Sequence, residues 1–211
     1  MRKLFLFMMV SVDGYFEGPN HELDWHNANS DEFNKYVLSQ LNEVDTILFG
    51  RTTYQMMSSY WPSAITDSSG VIETKGMKFA VHTQASDDHN EIARLMNDLK
   101  KIVFSRELDK VAEWKNSRLV KGDALKEVAK LKRQAGKDIV IIGSSNLSAS
   151  LLKAGLIDEI RVMVNPIVLG EGKSLFNGMN QRVKLKLAKT KQFNDGNILL
   201  YYNPTNTRAV D

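Results

Sequence analysis

The chain alternates between buried apolar runs and amphipathic stretches, and this pattern predicts most of its secondary structure. Apolar runs typical of buried strands lie at residues 4–12, 46–50, 78–82, 101–105, 117–120 and 138–143. Apolar residues recur at helical spacing in the stretches that begin near residues 30, 51, 90, 124 and 146. Strands that alternate with helices of this length predict βαβ units, and therefore an α/β protein with a mostly parallel sheet.

The last third of the chain has a different pattern. Residues 183–187 alternate strictly between apolar and polar, as a half-exposed strand does. Asp195-Gly196 lies between the extended residues 190–193 and 198–202 and predicts a hairpin turn. The sheet is therefore expected to end in antiparallel strands. Since no linker divides the chain, we predict a single domain over residues 1–203 and a polar tail over residues 204–211.

Composition narrows the classes of function. A chain of 211 residues with 43% hydrophobic content can bury one substantial core. Its net charge of +3 is spread along the whole length, which gives little support to nucleic-acid binding. The absence of cysteine excludes disulfides and thiolate metal sites, and the four histidines lack the spacing of metal ligands, so no metal site is expected.

The amino-terminal apolar run is too short for a membrane span and lacks a small-residue cleavage site. No other stretch approaches about 20 apolar residues. These features predict a cytoplasmic protein without a membrane-spanning segment.

Three predicted strands end in residues that suit a phosphate. The three sets are Gly50, Arg51, Thr52 and Thr53; Ser105 and Arg106 after Phe104; and Gly143, Ser144, Ser145 and Asn146. Ligands of open parallel sheets bind outside the carboxyl ends of the strands, so all three sets are expected at one edge. Helix N-termini bind anions through free backbone N–H groups, and an arginine can clamp a further phosphate. Together they suit a dinucleotide with an additional phosphate, such as NADPH.

Each set also has a simpler interpretation. Thr52 or Thr53 could merely cap a helix, Ser105 and Arg106 could form a solvated turn, and the turn after Gly143 could be ordinary helix capping. Neither a G-x-G-x-x-G fingerprint nor a Walker loop is present, so a Rossmann or P-loop interpretation is not supported.

Several motifs together resemble the dihydrofolate reductase-like superfamily. They are Ser11-Val12-Asp13-Gly14, Gly50-Arg51-Thr52, Phe104-Ser105-Arg106 and Ile142-Gly143-Ser144. The segment from Gly155 to Phe176, with Asn165-Pro166-Ile167-Val168-Leu169-Gly170-Glu171-Gly172, is similar to the reductase domain of the bifunctional riboflavin-biosynthesis deaminase-reductase. Ser144 stands where dihydrofolate reductases proper carry a second glycine.

The resemblance implies a three-layer fold with about eight strands and NADPH across their carboxyl edge. It implies that Gly50, Arg51 and Thr52 bind the cofactor's phosphates. It further assigns Ser105 and Arg106 to the 2′-phosphate, and Gly143, Ser144, Ser145, Asn146 and Leu147 to the pyrophosphate. The loop from Asp13 to Gly18 would lie near the nicotinamide. Relatives usually form homodimers, for which an apolar face on residues 159–169 is available.

The substrate half is less clearly marked. In dihydrofolate reductases a carboxylate early in the first long helix protonates the substrate, and the nearest equivalent is Asp31, although acids in a first helical turn also complement the dipole. Asp13 is the alternative proton donor, or it shapes the Asp-Gly turn. Asn29 and Glu32 have the spacing of a capping box for this helix. Trp25 is a candidate wall of a substrate pocket.

Two functions from different classes follow. The first is an NADPH-dependent reductase of a pterin-like, pyrimidine or phosphoribosylamino-pyrimidine molecule, with a connection to riboflavin biosynthesis. The second is a nucleotide-binding protein of the same fold without reductase turnover, in which Asp13 and Asp31 are structural.

Overall fold

The computed structural model describes residues 1–26, 28, 30–64, 71–74, 77–80 and 87–205. The strands are β1 Leu4–Val10, β2 Tyr15–Glu17, β3 Val44–Gly50, β4 Val71–Thr74, β5 Met77–Ala80, β6 Lys100–Phe104, β7 Ser117–Val120, β8 Asp138–Ile142, β9 Glu159–Val164, β10 Lys173–Ser174, β11 Leu185–Gln192 and β12 Ile198–Pro204. The helices are α1 Asp31–Glu43, α2 Arg51–Ser58, α3 Asp87–Asp98, α4 Ala124–Arg133 and α5 Ser145–Lys153. None of these helices is long and apolar enough to cross a membrane.

Eight strands form the central sheet, in the order β11-β12-β9-β1-β8-β3-β6-β7. The strands from β9 to β7 in this order pair in parallel, whereas β12 is antiparallel to β9 and β11 to β12. The prediction of an α/β fold with a mostly parallel sheet and a C-terminal antiparallel hairpin is confirmed. Because β8, β3 and β6 are parallel neighbours, their carboxyl ends are adjacent along one edge.

The sheet is covered on both faces. On one face Phe5, Phe7 and Met9 of β1 join a buried cluster with residues of α1, α2 and α3. On the other face Leu4 and Leu6 join a second cluster with residues of α4 and α5. Every residue of β1 is buried, as expected for a strand at the centre of three layers.

Two segments for which no strand was predicted contain strands. Tyr15–Glu17, inside the loop expected from Asp13 to Gly18, forms β2 and pairs with β10. Val71–Thr74 forms β4 and pairs with β5 in a separate two-stranded sheet. Neither strand was predicted, because its partner strand is short or irregular and no strong alternation of apolar and polar residues marks the pair. Residues 81–82 of the strand predicted at residues 78–82 lie outside the described residues.

The start of α1 also differs from the prediction. Ser30 is the N-cap, and its hydroxyl accepts a hydrogen bond from the Phe33 N–H. Glu32 does not complete a capping box, because its carboxylate instead accepts from the Asn194 N–H and pairs with Lys191. Asn29 lies outside the described residues.

The C-terminal edge of the sheet is more exposed than the sequence pattern indicates. Leu185 and Leu187 on the edge strand β11 are 39% and 50% exposed. Glu159–Val164, part of the predicted dimer face, is instead the interior strand β9, which lies between β1 and β12.

Pro204 belongs to β12, and the Thr205 N–H donates to the Lys184 carbonyl, so regular structure extends into the predicted tail. Residues 206–211 lie outside the described part.

A matched pair of isoleucines tests this distribution of burial. Ile47→Ala on β3, where the side chain is fully buried, should lower the free energy of unfolding by about 2–5 kcal/mol because it leaves a cavity. Ile198→Ala on β12, where the side chain is 43% exposed, should lower it by less than about 1 kcal/mol. Urea unfolding measures both, and equal losses would show that Ile198 is covered in solution.

Candidate active site

Two hydrogen bonds join the turns that follow β3 and β8. The Gly50 N–H donates to the Ser144 hydroxyl over 2.9 Å, and the Ser144 N–H donates to the Thr53 hydroxyl over 3.2 Å. These bonds hold the first turn of α2 against the first turn of α5. The order of the strands brings these two turns close together, and side chains of the turns themselves hold them in contact.

Neither helix that starts at this junction has a side-chain cap. Gly50 is the N-cap of α2 and Ser144 that of α5, and neither makes a capping bond through a side chain. By contrast, α1 and α4 are capped by Ser30 and Asp123. The alternative that Thr52 or Thr53 simply caps α2 is therefore wrong. Both helices present uncapped N–H groups, with the positive ends of their dipoles, to the same space.

The backbone at this junction leaves little room for larger residues. Gly143 has φ +63°, and a Cβ there would lie 3.1 Å from the Thr53 methyl carbon. Ser144 has φ +59°, a left-handed conformation that is uncommon for a residue with a side chain. The Ser144 hydroxyl accepts a hydrogen bond from the Gly50 N–H. A glycine at this position, as in dihydrofolate reductases proper, could not supply this bond.

A cleft of two connected parts opens in front of the junction. The larger part, about 450 Å³, has polar and apolar walls in nearly equal measure and is lined in part by residues of the starts of α2 and α5. The smaller part, about 150 Å³, is mostly apolar, with Phe7, Met8, Met56 and Met57 among its walls. The two parts share the following residues: Phe16, Glu17, Thr52, Thr53 and Ser144.

Most of the predicted cofactor residues line this cleft. The larger part is lined by Gly50, Arg51, Thr52, Ser144, Ser145, Asn146 and Leu147, and the smaller part by Gly143. Two predicted residues lie beside the cleft without lining it. The Ser105 hydroxyl accepts hydrogen bonds from the N–H groups of Glu107 and Leu108, and Arg106 is exposed.

Lys173 and Arg51 both line the larger part of the cleft, and Arg51 lies at the start of α2. The Arg51 guanidinium lies 3.2 Å from the carboxylate of Glu107, which also lines the cleft. Both side chains are substantially exposed, at 41% and 73%. Glu107 therefore competes with any bound phosphate for Arg51, a feature that the sequence did not indicate.

The two candidate proton donors lie away from the cleft walls. Asp13 accepts hydrogen bonds from the N–H groups of Leu169 and Gly170, over 3.2 and 2.8 Å. The Ser11 hydroxyl and these backbone groups hold the pKa of the Asp13 carboxyl below its usual range. This arrangement supports the interpretation that Asp13 shapes a turn. Asp31 is exposed in the first turn of α1 and lines neither part of the cleft.

Trp25 lies behind the cleft wall. Its indole N–H donates to the Glu22 carbonyl over 3.0 Å, and its ring packs edge-on against His26 with 4.3 Å between ring centroids. His26, not Trp25, lines the smaller part of the cleft. The structure therefore places Trp25 as a support for the histidine.

Glu17 and His26 are among the polar cleft residues that the sequence did not indicate. Glu17, the last residue of β2, is 6% exposed and lies at the boundary of the two parts. Its Oε1 atom is 3.3 Å from Lys173 Nζ and 3.0 Å from His21 Nδ1. Glu17 belongs to the segment that the family resemblance placed near the nicotinamide, and that was the available signal. For His26 there was none, because a lone histidine in a loop has no informative spacing.

His26 is a neutral imidazole with one free nitrogen. Burial lowers its pKa to about 4, although a hydrogen bond to the Phe16 carbonyl partly opposes this shift. Nε2 is buried and has no hydrogen-bond partner among the described residues, so Nδ1 is the donor to Phe16. The free nitrogen is therefore an acceptor.

A larger hollow at the opposite edge of the sheet offers less to a ligand. It has a volume of about 670 Å³ and lies beside α4, with Lys132 and Asp158 in its walls. These two groups are paired with each other, and Lys132 also donates to the Leu156 carbonyl. Across the described part of the chain, no group of three or more metal-binding side chains was found.

The sheet order and the cleft at its carboxyl edge define an α/β protein of the dihydrofolate reductase-like class. Over residues 2–199 the chain matches the family described as the RibD C-terminal domain, and it belongs to that family. Among its relatives, the uncharacterized protein YyaP of Bacillus subtilis (strain 168) is 34% identical over 206 residues, which cover 96% of this chain and 95% of YyaP.

Solved structures agree on the fold. A candidate riboflavin biosynthesis protein from Shewanella sp. PV-4 superposes with a TM-score of 0.70 at 22% identity, over 96% of this chain and 99% of that one. Dihydrofolate reductase from Enterococcus faecalis, solved with NADP(H), superposes with a TM-score of 0.58 at 14% identity, over 97% of each chain. At these identities the similarity extends to the fold alone.

The buried histidine predicts a pH dependence of stability. Since the pKa of His26 is about 4 in the folded state and 6.5 when unperturbed, the unfolded state binds more protons between these values. Stability from this group is complete above about pH 6.5 and is lost as the pH falls toward 4. Between pH 7 and 5 the wild type should lose about 2 kcal/mol more than His26→Gln. Urea unfolding at both pH values measures this difference, and equal losses would contradict a buried neutral histidine.

Proposed function

We propose that this protein is an NADPH-dependent reductase of a small heterocyclic molecule. The observation that carries the proposal is the pair of uncapped helix N-termini, tied together by Gly50, Ser144 and Thr53 at one end of a two-part cleft. Uncapped helix starts of this kind favour anions. An apolar cavity next to an anion site suits a ligand with phosphates at one end and a planar ring at the other.

The residues present fit such a cofactor. The N–H groups of Arg51 and Thr52 and those at the start of α5 would hold the pyrophosphate, and Gly143 leaves the backbone accessible. Ser105 and Arg106, beside the cleft, would take the 2′-phosphate. When bound, a reduced nicotinamide supplies a hydride.

The chain's own contribution to the chemistry is to exclude water and to orient the ring. Phe7, Met8, Met56 and Met57 form apolar walls in the smaller part of the cleft, where a reacting ring would be shielded from solvent. The starts of α2 and α5 fix the phosphate end, so the ring end has a limited set of positions.

For the substrate we propose a pterin-like, pyrimidine or phosphoribosylamino-pyrimidine molecule. Membership of the RibD C-terminal domain family supports this range, and the last of the three would place the protein in riboflavin biosynthesis. Such a role is consistent with action in the cytoplasm.

We also propose that the protein forms a homodimer. Because β9 is an interior strand, we place the dimer face at the C-terminal edge of the sheet instead. There Leu185, Leu187 and Ile198 expose apolar surface. An edge strand with exposed leucines is a natural pairing surface.

A second candidate function is nucleotide binding without reductase turnover. The observation that favours it is that neither Asp13 nor Asp31 lines the cleft. The two candidates differ in one measurement, the oxidation of NADPH in the presence of dihydrofolate, dihydropterins, and aminopyrimidines with and without a phosphoribosyl group. Oxidation that depends on any of these compounds would rule out the second candidate.

Titration of the purified protein with NADPH and NADH, followed by fluorescence, tests the cofactor proposal. NADPH should bind more tightly than NADH, and Arg106→Ala should weaken NADPH binding about tenfold with little effect on NADH, because it removes a charge-assisted contact to the 2′-phosphate. Arg133→Ala, which removes the same charge at the opposite edge of the sheet, is the matched control. If neither cofactor binds the wild type, the reductase proposal is wrong.

The ion pair between Arg51 and Glu107 leads to a prediction in the opposite direction. Glu107→Gln should strengthen NADPH binding by up to about fivefold, because it releases Arg51 from a competing carboxylate. The gain should shrink at high salt. Glu91→Gln, which removes a carboxylate paired with Arg94 on α3, should leave affinity unchanged. Unchanged or weaker binding in Glu107→Gln would mean that Arg51 does not contact the cofactor.

A further inference from the structure

A two-stranded sheet of β2 and β10 forms part of the wall of the larger part of the cleft. Glu17 of β2 and Lys173 of β10 are partners in this sheet, and both line the larger part. Residues at the starts of α2 and α5 line the same space. Lys173 therefore brings a cation to the space in front of the uncapped helix starts, from an element that belongs to neither helix.

The ammonium group of Lys173 stays available to an anion. Its Nζ lies 3.3 Å from Glu17 Oε1, but Oε1 accepts no hydrogen bond from any described residue. Nζ also lies 5.5 Å from the centroid of the Phe16 ring, within the range of a cation–π contact. Since the Lys173 side chain is partly exposed, its N–H groups are free to donate to a phosphate oxygen.

The position of β10 depends on the loop of residues 165–172 that precedes it. Asp13, in the turn after β1, binds this loop, because its two carboxylate oxygens accept hydrogen bonds from the N–H groups of Leu169 and Gly170. The anchored groups lie only three or four residues before Lys173 in the chain. Asp13 therefore fixes the loop close to the point where β10 begins.

The contact between β10 and β2 is close but short. Gly172, directly before β10, has φ +152°, and a Cβ there would lie 2.4 Å from the Glu17 carbonyl oxygen. β10 contains only two residues, and an isolated two-stranded pair is at best marginally stable. The pairing with β2 therefore needs the anchor at Asp13 to hold Lys173 at the cleft.

We propose that Asp13 is a positioning residue, which acts through Lys173 to place a second cation, besides Arg51, near a phosphate group bound at the starts of α2 and α5. This inference deepens the proposed function. It rests on a phosphate at the helix starts, and on NADPH only for which molecule carries that phosphate. Asp13 thereby acquires a role in ligand binding that requires no proton transfer.

The direction of the effect separates positioning from simple electrostatics. Asp13 is an ionised carboxylate, so if only its charge mattered, Asp13→Ala should strengthen the binding of an anion. Loss of the anchor should weaken binding instead, because Lys173 is then at the cleft for a smaller fraction of the time. We expect Asp13→Ala to weaken the binding of inorganic pyrophosphate about threefold.

A double-mutant cycle tests whether Asp13 acts through Lys173. Lys173→Ala should weaken pyrophosphate binding about fivefold at low salt, because it removes a partly exposed cation. The double variant should bind no more weakly than Lys173→Ala alone, since Asp13 then has no cation to position. Isothermal titration calorimetry measures all four proteins, with pyrophosphate and with NADPH. Losses that add, or stronger binding in Asp13→Ala, would overturn the proposal.

Two controls test for a merely structural effect. Asp123→Ala removes another carboxylate that accepts from two backbone N–H groups, those of Leu125 and Lys126 at the start of α4. Lys115→Ala removes an exposed lysine that is paired with Asp98 outside the cleft. Both variants should bind pyrophosphate as the wild type does. A loss in either control equal to that in Asp13→Ala would show that the effect is not specific to the anchor.

A second variant displaces β10 without changing Asp13. Gly172→Ala adds a Cβ where the Glu17 carbonyl leaves no room, so β10 should move away from β2. Its loss of pyrophosphate affinity should resemble that of Asp13→Ala and should likewise disappear in the Lys173→Ala background. Unchanged affinity in Gly172→Ala would mean that the position of β10 does not control the binding of phosphate.

The two ligands separate this inference from the proposed function. If the cycle shows coupling with pyrophosphate but the wild type does not bind NADPH, the reductase proposal fails, and Asp13 positions Lys173 for another phosphate ligand. If NADPH binds and the cycle shows no coupling with either ligand, the role of Asp13 fails alone. If the wild type binds neither ligand, both proposals are wrong.

Discussion

The candidate site depends on the two hydrogen bonds that link the turns after β3 and β8. Through them Gly50, Ser144 and Thr53 hold two helix N-termini side by side. The Ser144 and Thr53 hydroxyls accept hydrogen bonds from backbone N–H groups of the facing turn instead of capping their own helices. A side-chain cap stabilises a helix by about 1 kcal/mol, and α2 and α5 both lack this contribution. A bound anion would restore it, which connects the stability of the turns to ligand binding.

The second constraint is electrostatic. His26 places an unpaired acceptor and Glu17 a buried carboxylate at a cavity whose other walls are mostly apolar. An unsatisfied buried polar group costs about 1–3 kcal/mol, and here the packing of Trp25 and the hydrogen bond to Phe16 keep the imidazole in place. The surrounding structure therefore maintains this cost beside the cleft.

The parts of the site that could be predicted from the sequence are those determined by backbone topology. Parallel strands share an edge, so the residues after β3 and β8 were expected at the same edge once the strands were recognised. That they meet depends on β3 and β8 being neighbours in the sheet. The contribution of β6 was only partly predictable. In the turn after Phe104 the Ser105 hydroxyl accepts hydrogen bonds from the N–H groups of Glu107 and Leu108, and Glu107 lines the cleft. Spacing along the chain does not indicate which side chain of an exposed turn faces a cavity.

The sequence by itself determined the α/β class, the buried central strands, the terminal hairpin and the glycine turns, because these follow from hydrophobic periodicity and local backbone preferences. Tertiary structure alone decided the rest. Asp13 became a turn residue and Asp31 a surface acid, while Glu17 and His26 reached the cleft from a segment with no strong pattern. The physical reason is that a polar side chain acquires its role from groups distant in the chain, and those contacts exist only after the sheet has assembled.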